Sequence, residues 1–326
     1  MMPSRFSRAE IDQALQRLRG GYQGFIRQTP LCKFSGSQLG LHCKEVWLKL
    51  EQLQVGGSFK ARGMLNRMLA NPIPASGVVI ASGGNAGIAT AAAAKALGQR
   101  CEVFVPEVAS PAKRERLRQL GAHVEVVGAD YAQALDAALT RQRETGALQM
   151  HAYDQVEVLA GAATLAAEIE QQAGLPDSVL VSVGGGGLIG GIAGWFEDRA
   201  RVIGVEPVLA PTLFAARKAG GPVDVAVGGI AADSLGARRI GALAWEMSQR
   251  YVQDALLLDD TAIRMAQLWL WSALKLAVEP AAALGLAALQ SGAYVPRGDE
   301  TVCLILCGAN VDPAMLATSS PDSTFA

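Results

Sequence analysis

From residue 78 onward the chain alternates short apolar runs with stretches of helical spacing. The runs are VVIAS (78–82), EVFVP (102–106), HVEVV (123–127) and LQMHAY (148–153). Farther on come SVLVSV (178–183), RVIGVE (201–206), DALLLDD (254–260) and TVCLILCG (301–308). Short, β-branched runs unbroken by polar alternation predict strands buried on both faces. Alternation of such strands with helices predicts the parallel sheets of an α/β protein. The strands are too many for one small sheet and the joints are short, so two α/β units are expected. Ahead of them, Ala9, Ile11, Leu15 and Leu18 predict a helix over 7–18, and EVWLKLEQLQ (45–54) reads as a strand. These early pieces are expected to pack onto the second unit. That makes it larger and discontinuous (1–50 and 151–326) around a smaller unit at 51–150. Ala91 to Ala94 predict a closely packed helix, since Ala has the highest helix propensity.

Composition narrows the class. A chain of 326 residues is long enough for two domains with ample core. Its 29 Lys and Arg against 30 Asp and Glu leave no basic footprint, so nucleic-acid binding is not expected. The mean hydropathy of +0.23 raises the question of a membrane span, best sought in Leu268 to Leu289. Lys275, Glu279 and Pro280 interrupt that stretch, which predicts a buried helix pair and no membrane. The opening MMPSRFSRAEIDQ lacks the apolar core of a signal peptide, and the tail TSSPDSTFA reads as loosely attached. Five cysteines without a CxxC pair fit reduced thiols in a cytoplasmic enzyme better than a disulfide framework or a zinc site.

Three glycine-rich segments sit where strands are expected to end. In VSVGGGGLIGG, Gly184, Gly185, Gly186 and Gly187 lie between a strand and a helix. Such a loop can present bare N–H groups beside a helix N-terminus and cradle a phosphate, or it can simply be a close-packed turn. Gly185, Gly187 and Gly190 also match G-x-G-x-x-G with Glu206 ending the next strand, a weak dinucleotide fingerprint that would imply an NAD oxidoreductase. In GGSFKARG (56–63), Ser58 is positioned to cap a helix. Lys60 and Arg62 then fall in its first turn, where the helix dipole disfavours cations. A broken local rule often marks a functional site, so Lys60 is a candidate anion ligand or amine nucleophile, against the alternative of a surface lysine. In ASGGNAG (81–87), Ser82, Gly83, Gly84 and Asn85 offer backbone donors for a carboxylate, and Asn85 adds an amide or serves only as a cap.

GGSFKARG, SGGNAG, GGGGL and a terminal CGAN, in this order, resemble the pyridoxal-phosphate (PLP) enzymes of the tryptophan-synthase β fold, fold type II. The resemblance is to the serine/threonine dehydratase branch, which includes serine racemase, and runs from TPL (29–31) to Asn310. It overrules the dinucleotide reading, under which Lys60 and the Asn85 loop would have no role. It implies that Lys60 holds PLP covalently, that Phe59 packs on the ring and that Asn85 meets the ring hydroxyl. Residues 82–86 (Ser82, Gly83, Gly84, Asn85, Ala86) would hold the substrate carboxylate, and Gly184 to Leu188 the cofactor phosphate. Cys307 would lie beside the pyridine nitrogen, Ser234 on the other ring face and Glu279 near the cofactor, the alternative for Glu279 being a buried helix-end carboxylate, with the active site in the cleft between the units.

The implied activity is L-serine/L-threonine dehydration to a 2-oxo acid and ammonia, with β-replacement or racemisation as alternatives on the same scaffold. Racemase-like members carry a serine base where this chain has Gly83, so dehydration is favoured. Glu206, Ala210 and Thr212 match a divalent-cation site whose last carboxylate is missing, which favours K+ or another monovalent cation over Mg2+. The alternative for Glu206 is a strand-end carboxylate paired with an arginine. The resemblance also implies a homodimer acting on a small amino acid.

Overall fold

Apolar residues one turn apart form α1 (Arg8–Gly20), which fully buries Ile11 and Ala14. The computed structural model describes residues 6–20 and 24–317. The opening MMPSR and the tail TSSPDSTFA therefore lie outside the described residues. β1 (Leu31–Ser35) and β2 (Glu45–Lys49) pair antiparallel, with Leu31 opposite Lys49. The strand expected over 45–54 ends at Lys49, and the chain turns through two short 3-10 segments, Glu51–Leu53 and Val55–Gly57. That turn carries the buried Glu51 carboxylate to the Thr29 hydroxyl at 2.7 Å and to Arg62 Nε at 2.5 Å.

Next come α2 (Lys60–Ala70), β3 (Val78–Ala81), α3 (Asn85–Ala96) and β4 (Cys101–Val105). They continue into α4 (Pro111–Gln119), β5 (His123–Val126), α5 (Tyr131–Thr145) and β6 (Leu148–Gln149). These four strands make a parallel sheet in the order β5-β4-β3-β6. β6 is shorter than the expected 148–153. Met150 still donates to Val79 O, but His151 Nδ1 then accepts the N–H groups of Tyr153 and Asp154 and turns the chain out of the sheet.

Across from this sheet lie α6 (Val156–Ala173), β7 (Ser178–Ser182), α7 (Gly187–Phe196), β8 (Arg201–Pro207) and α8 (Thr212–Ala219). They are followed by α9 (Ala242–Tyr251), β9 (Val252–Leu258), α10 (Asp260–Leu274), α11 (Pro280–Gln290) and β10 (Thr301–Ile305). The second sheet runs β1-β2-β10-β7-β8-β9 and is parallel except for β1. Every residue of β7 and β10 is buried, as two-sided cover by helices requires. The stretch 268–289 is the end of α10, a turn holding Lys275 and Glu279, and α11, with α10 packed on α11. Among the described residues, no helix is long and apolar enough to cross a membrane.

Arg62 has its compensation in the tertiary structure. Its guanidinium is 2% exposed and meets Glu51 at 2.5 Å and Glu168 of α6 at 2.9 Å. Glu168 in turn takes Lys49 of β2 at 2.5 Å. This buried network ties the start of α2 to α6 and to the second sheet.

Candidate active site

Lys60 opens α2, and its backbone is pinned to the end of β10. Phe59 N donates to Cys307 O at 3.1 Å, and Ala309 N to Gly57 O at 2.8 Å. Ser58 is not the helix cap expected from the sequence. Phe59 occupies that place, while Ser58 is extended and its buried hydroxyl has no protein partner. The bridge to Gly308 dictates this, because it holds Ser58 in a strand-like conformation outside the helix. The Lys60 amine donates to Ala152 O at 2.6 Å and lies 5.0 Å from the centre of the Phe59 ring. Loss of solvent lowers its pKa from 10.5 to about 8, against the opposing pull of Cys307 and Glu279. Cys307 is itself buried, and desolvation raises its thiol to about 12, so it is neutral at pH 7.

The tetraglycine segment follows β7 and starts the ten-residue helix α7. Gly186 is left-handed, with φ 85°. A methyl group on Gly185 would fall 2.2 Å from the Tyr153 ring. The carbonyls of Gly184 and Gly185 are taken by the Thr212 hydroxyl at 2.5 Å and Gly241 N at 3.0 Å. The loop's N–H groups and the helix dipole are left as an anion cradle.

The third glycine segment leads into α3, with Gly84 as its cap and Asn85 as its first residue. Asn85 Nδ2 donates to both oxygens of Glu279 at 2.9 Å, and Asn85 Oδ1 accepts from Asn310 Nδ2 at 2.6 Å. Glu279 is 4% exposed. Burial raises its pKa, opposed by bonds from Asn85, Asn310 N and Ser234. The structure thus brings Lys60, Phe59, Asn85, Ser234, Glu279 and Cys307 together. Ala152–Tyr153 links Lys60 to the tetraglycine loop. Gly83 faces Val105 and Ala109 and carries no acid or base.

A comparison with protein families matches residues 22–308 to the family described as pyridoxal-phosphate dependent enzyme. The chain belongs to this family. An L-threonine ammonia-lyase from Geobacter sulfurreducens is 37% identical over 274 residues, 82% of this chain and 67% of that protein. A phenylserine dehydratase from Ralstonia pickettii is 36% identical over 310 residues, 93% of this chain and 94% of that one. Among solved structures, maize serine racemase superposes with a TM-score of 0.88 at 29% identity, covering 96% of each chain. The chain is therefore a PLP enzyme of fold type II, and the dinucleotide expectation from Gly185, Gly187 and Gly190 falls away.

The residues present fit PLP in their geometry and in their charge state. They supply an amine of lowered pKa, a helix-start cradle that a side chain on Gly185 would fill, and a buried neutral thiol.

Glu206, Ala210 and Thr212 also come together, but through bonds of their own. Glu206 is fully buried and accepts from Leu213 N at 2.7 Å and Phe214 N at 2.8 Å, the start of α8, where the sequence reading allowed an arginine partner. Burial pushes its pKa up to about 7 against these bonds. Among the described residues no cluster of three or more His, Cys, Asp or Glu is placed to hold a metal ion.

Sequence reasoning missed His151, Tyr153 and Asn310. The first two sat inside a run read as strand, and only a His and an aromatic residue at its end hinted at a turn. Asn310 was noted only as the end of a motif.

Proposed function

We propose that this protein removes water from a β-hydroxy-α-amino acid, L-serine or L-threonine, giving a 2-oxo acid and ammonia. The site is the cleft between a smaller unit (51–150) and a larger one (1–50 and 151–326). The observation that carries the reading is one dry amine of lowered pKa, Lys60, beside a neutral thiol, Cys307. PLP, when bound, withdraws the electron pair released at Cα. Gly184 to Leu188 would hold its phosphate, Phe59 and Ser234 would flank its ring, and Asn85, held by Glu279, would address its ring oxygen. The N–H groups of residues 82–86 receive the substrate carboxylate. Lys60, neutral for much of its time near pH 8 and held by Ala152 O, takes the Cα proton. Cys307, a neutral thiol, lends no proton, and the proton that Lys60 has taken from Cα passes to the β-hydroxyl, which leaves as water. The released enamine then hydrolyses to the 2-oxo acid and ammonia. Gly83 supplies no second base for the opposite face, which disfavours racemisation.

The ammonia-lyase from Geobacter supports this chemistry. A β-aryl substrate is the second reading. It is favoured by the phenylserine dehydratase relative. A K+-type cation at Glu206, Ala210 and Thr212 and a homodimer in the cytoplasm belong to the same proposal. Activity in KCl against tetramethylammonium chloride and a light-scattering mass test the first two.

The decisive experiment follows the absorbance of purified protein and 2-oxo acid release with L-serine, L-threonine and phenylserine. A visible band lost in Lys60→Ala, with oxo acid formed from one of these, is expected. A band that shifts without oxo acid would replace dehydration by β-replacement or racemisation. A band that survives Lys60→Ala would overturn the assignment of the lysine.

A further inference from the structure

The side-chain amide of an asparagine has nearly the same shape either way round, so its orientation must be imposed by its partners. At Asn85 the imposing groups can be traced back to the backbone. Gly56 O can only accept, and Asn310 Nδ2 donates to it at 2.7 Å. The NH2 end of Asn310 is therefore fixed toward Gly56, and its other hydrogen goes to Asn85 Oδ1 at 2.6 Å. Asn310 cannot swing away, because its own N–H donates to Glu279 Oε1 at 2.8 Å. Gly57 leaves room for it: a methyl there would fall 2.7 Å from Asn310 Oδ1. With its oxygen engaged, Asn85 turns its nitrogen to Glu279, whose two oxygens at 2.9 Å share one of its hydrogens and leave the other for the cofactor.

We infer that Asn310 is a positioning residue that fixes Asn85 as a hydrogen-bond donor toward the bound cofactor's ring oxygen. The network joins four segments: the turn before Lys60, the start of α3, the start of α11 and the loop that follows β10. Without Asn310, Asn85 Oδ1 loses its donor and the amide is free to rotate. A carbonyl turned toward an anionic ring oxygen repels it, where an N–H would hold it. The inference rests on the site proposed above and assigns Asn310 a task that acts only through Asn85.

The test is a double-mutant cycle on the full chain, reading PLP affinity by fluorescence titration and the pH midpoint of the visible band. Asn310→Ala is expected to weaken PLP binding roughly tenfold, the scale of a lost hydrogen bond to a charged group, and to shift the band midpoint. In an Asn85→Ala background the same substitution should change neither. Asn310→Asp, of equal shape but unable to donate, should weaken binding at least as much as Asn310→Ala. Asn310→Ser, which keeps a hydroxyl donor, runs the same cycle if the alanine variant fails to fold. Additive effects in the cycle, or PLP affinity unchanged in Asn310→Ala, would overturn the inference. A visible band that survives Lys60→Ala would instead defeat the site assignment itself, so the two failures are distinguishable.

Discussion

Lys60→Met should make the PLP-free protein more stable. The Lys60 amine loses solvent in the fold, and its pKa falls from 10.5 to about 8. A lysine whose folded pKa is depressed binds its proton less well folded than unfolded. Below about pH 8 the folded protein therefore carries a charged amine at a cost, and between 8 and 10.5 that cost fades as pH rises. At about 1.4 kcal/mol per pKa unit the full cost is about 3 kcal/mol. The bond to Ala152 O, lost in the variant, offsets about 1 kcal/mol of the gain. A net gain of about 2 kcal/mol at pH 7 is expected, because methionine fills a similar volume without a charge. Urea unfolding of the PLP-free proteins at pH 7 and at pH 10 reads it as a difference in midpoint. The gain should be clear at pH 7 and nearly gone at pH 10. A variant no more stable than the parent at pH 7, or one with the same gain at both pH values, would refute the desolvated amine on which the chemistry depends.

Three further substitutions probe the surroundings. Arg62→Met takes from the fully buried Glu51 its guanidinium partner and leaves Glu168 with Lys49 alone, and should cost about 3–5 kcal/mol in chemical unfolding; a loss below about 1 kcal/mol would mean the network is not as dry as its burial indicates. Gly185→Ala drives a methyl to 2.2 Å from the Tyr153 ring, so PLP affinity should fall sharply, and an unchanged affinity measured by fluorescence would exclude this loop as the phosphate cradle. Gly83→Ser has room, since its Cβ meets Val105 at 3.4 Å and Ala109 at 3.7 Å, so the variant should fold. It should also release D-serine from L-serine, detected by chiral chromatography. If none forms, the missing hydroxyl is not what limits racemisation.

Much of the fold was legible because buried parallel strands must be short and apolar throughout. VVIAS, SVLVSV and TVCLILCG each contain the strand they predicted. The strand boundaries went astray where side chains far away in sequence intervened. EVWLKLEQLQ bends after Lys49 to deliver Glu51 to Arg62, and LQMHAY stops where the His151 ring captures two backbone N–H groups. Ser58 looked like a cap by local chemistry but is held extended by Gly308, a partner 250 residues away.

The candidate site divides along the same line. Local sequence determined the glycine loops, because tight turns are built from neighbouring residues and carry their own signature. Arg62 and Lys60 looked alike in sequence, two cations in one helical turn. Only the tertiary structure separated them, by burying Glu51 and Glu168 against the arginine and leaving the lysine to a backbone carbonyl and a neutral thiol. Which way Asn85 turns its amide likewise depends on Gly56, Glu279 and Asn310, brought together from the chain's two ends. Hydrogen bonds and ion pairs reach only a few ångströms, so the groups that set charge and orientation at this site were decided by packing.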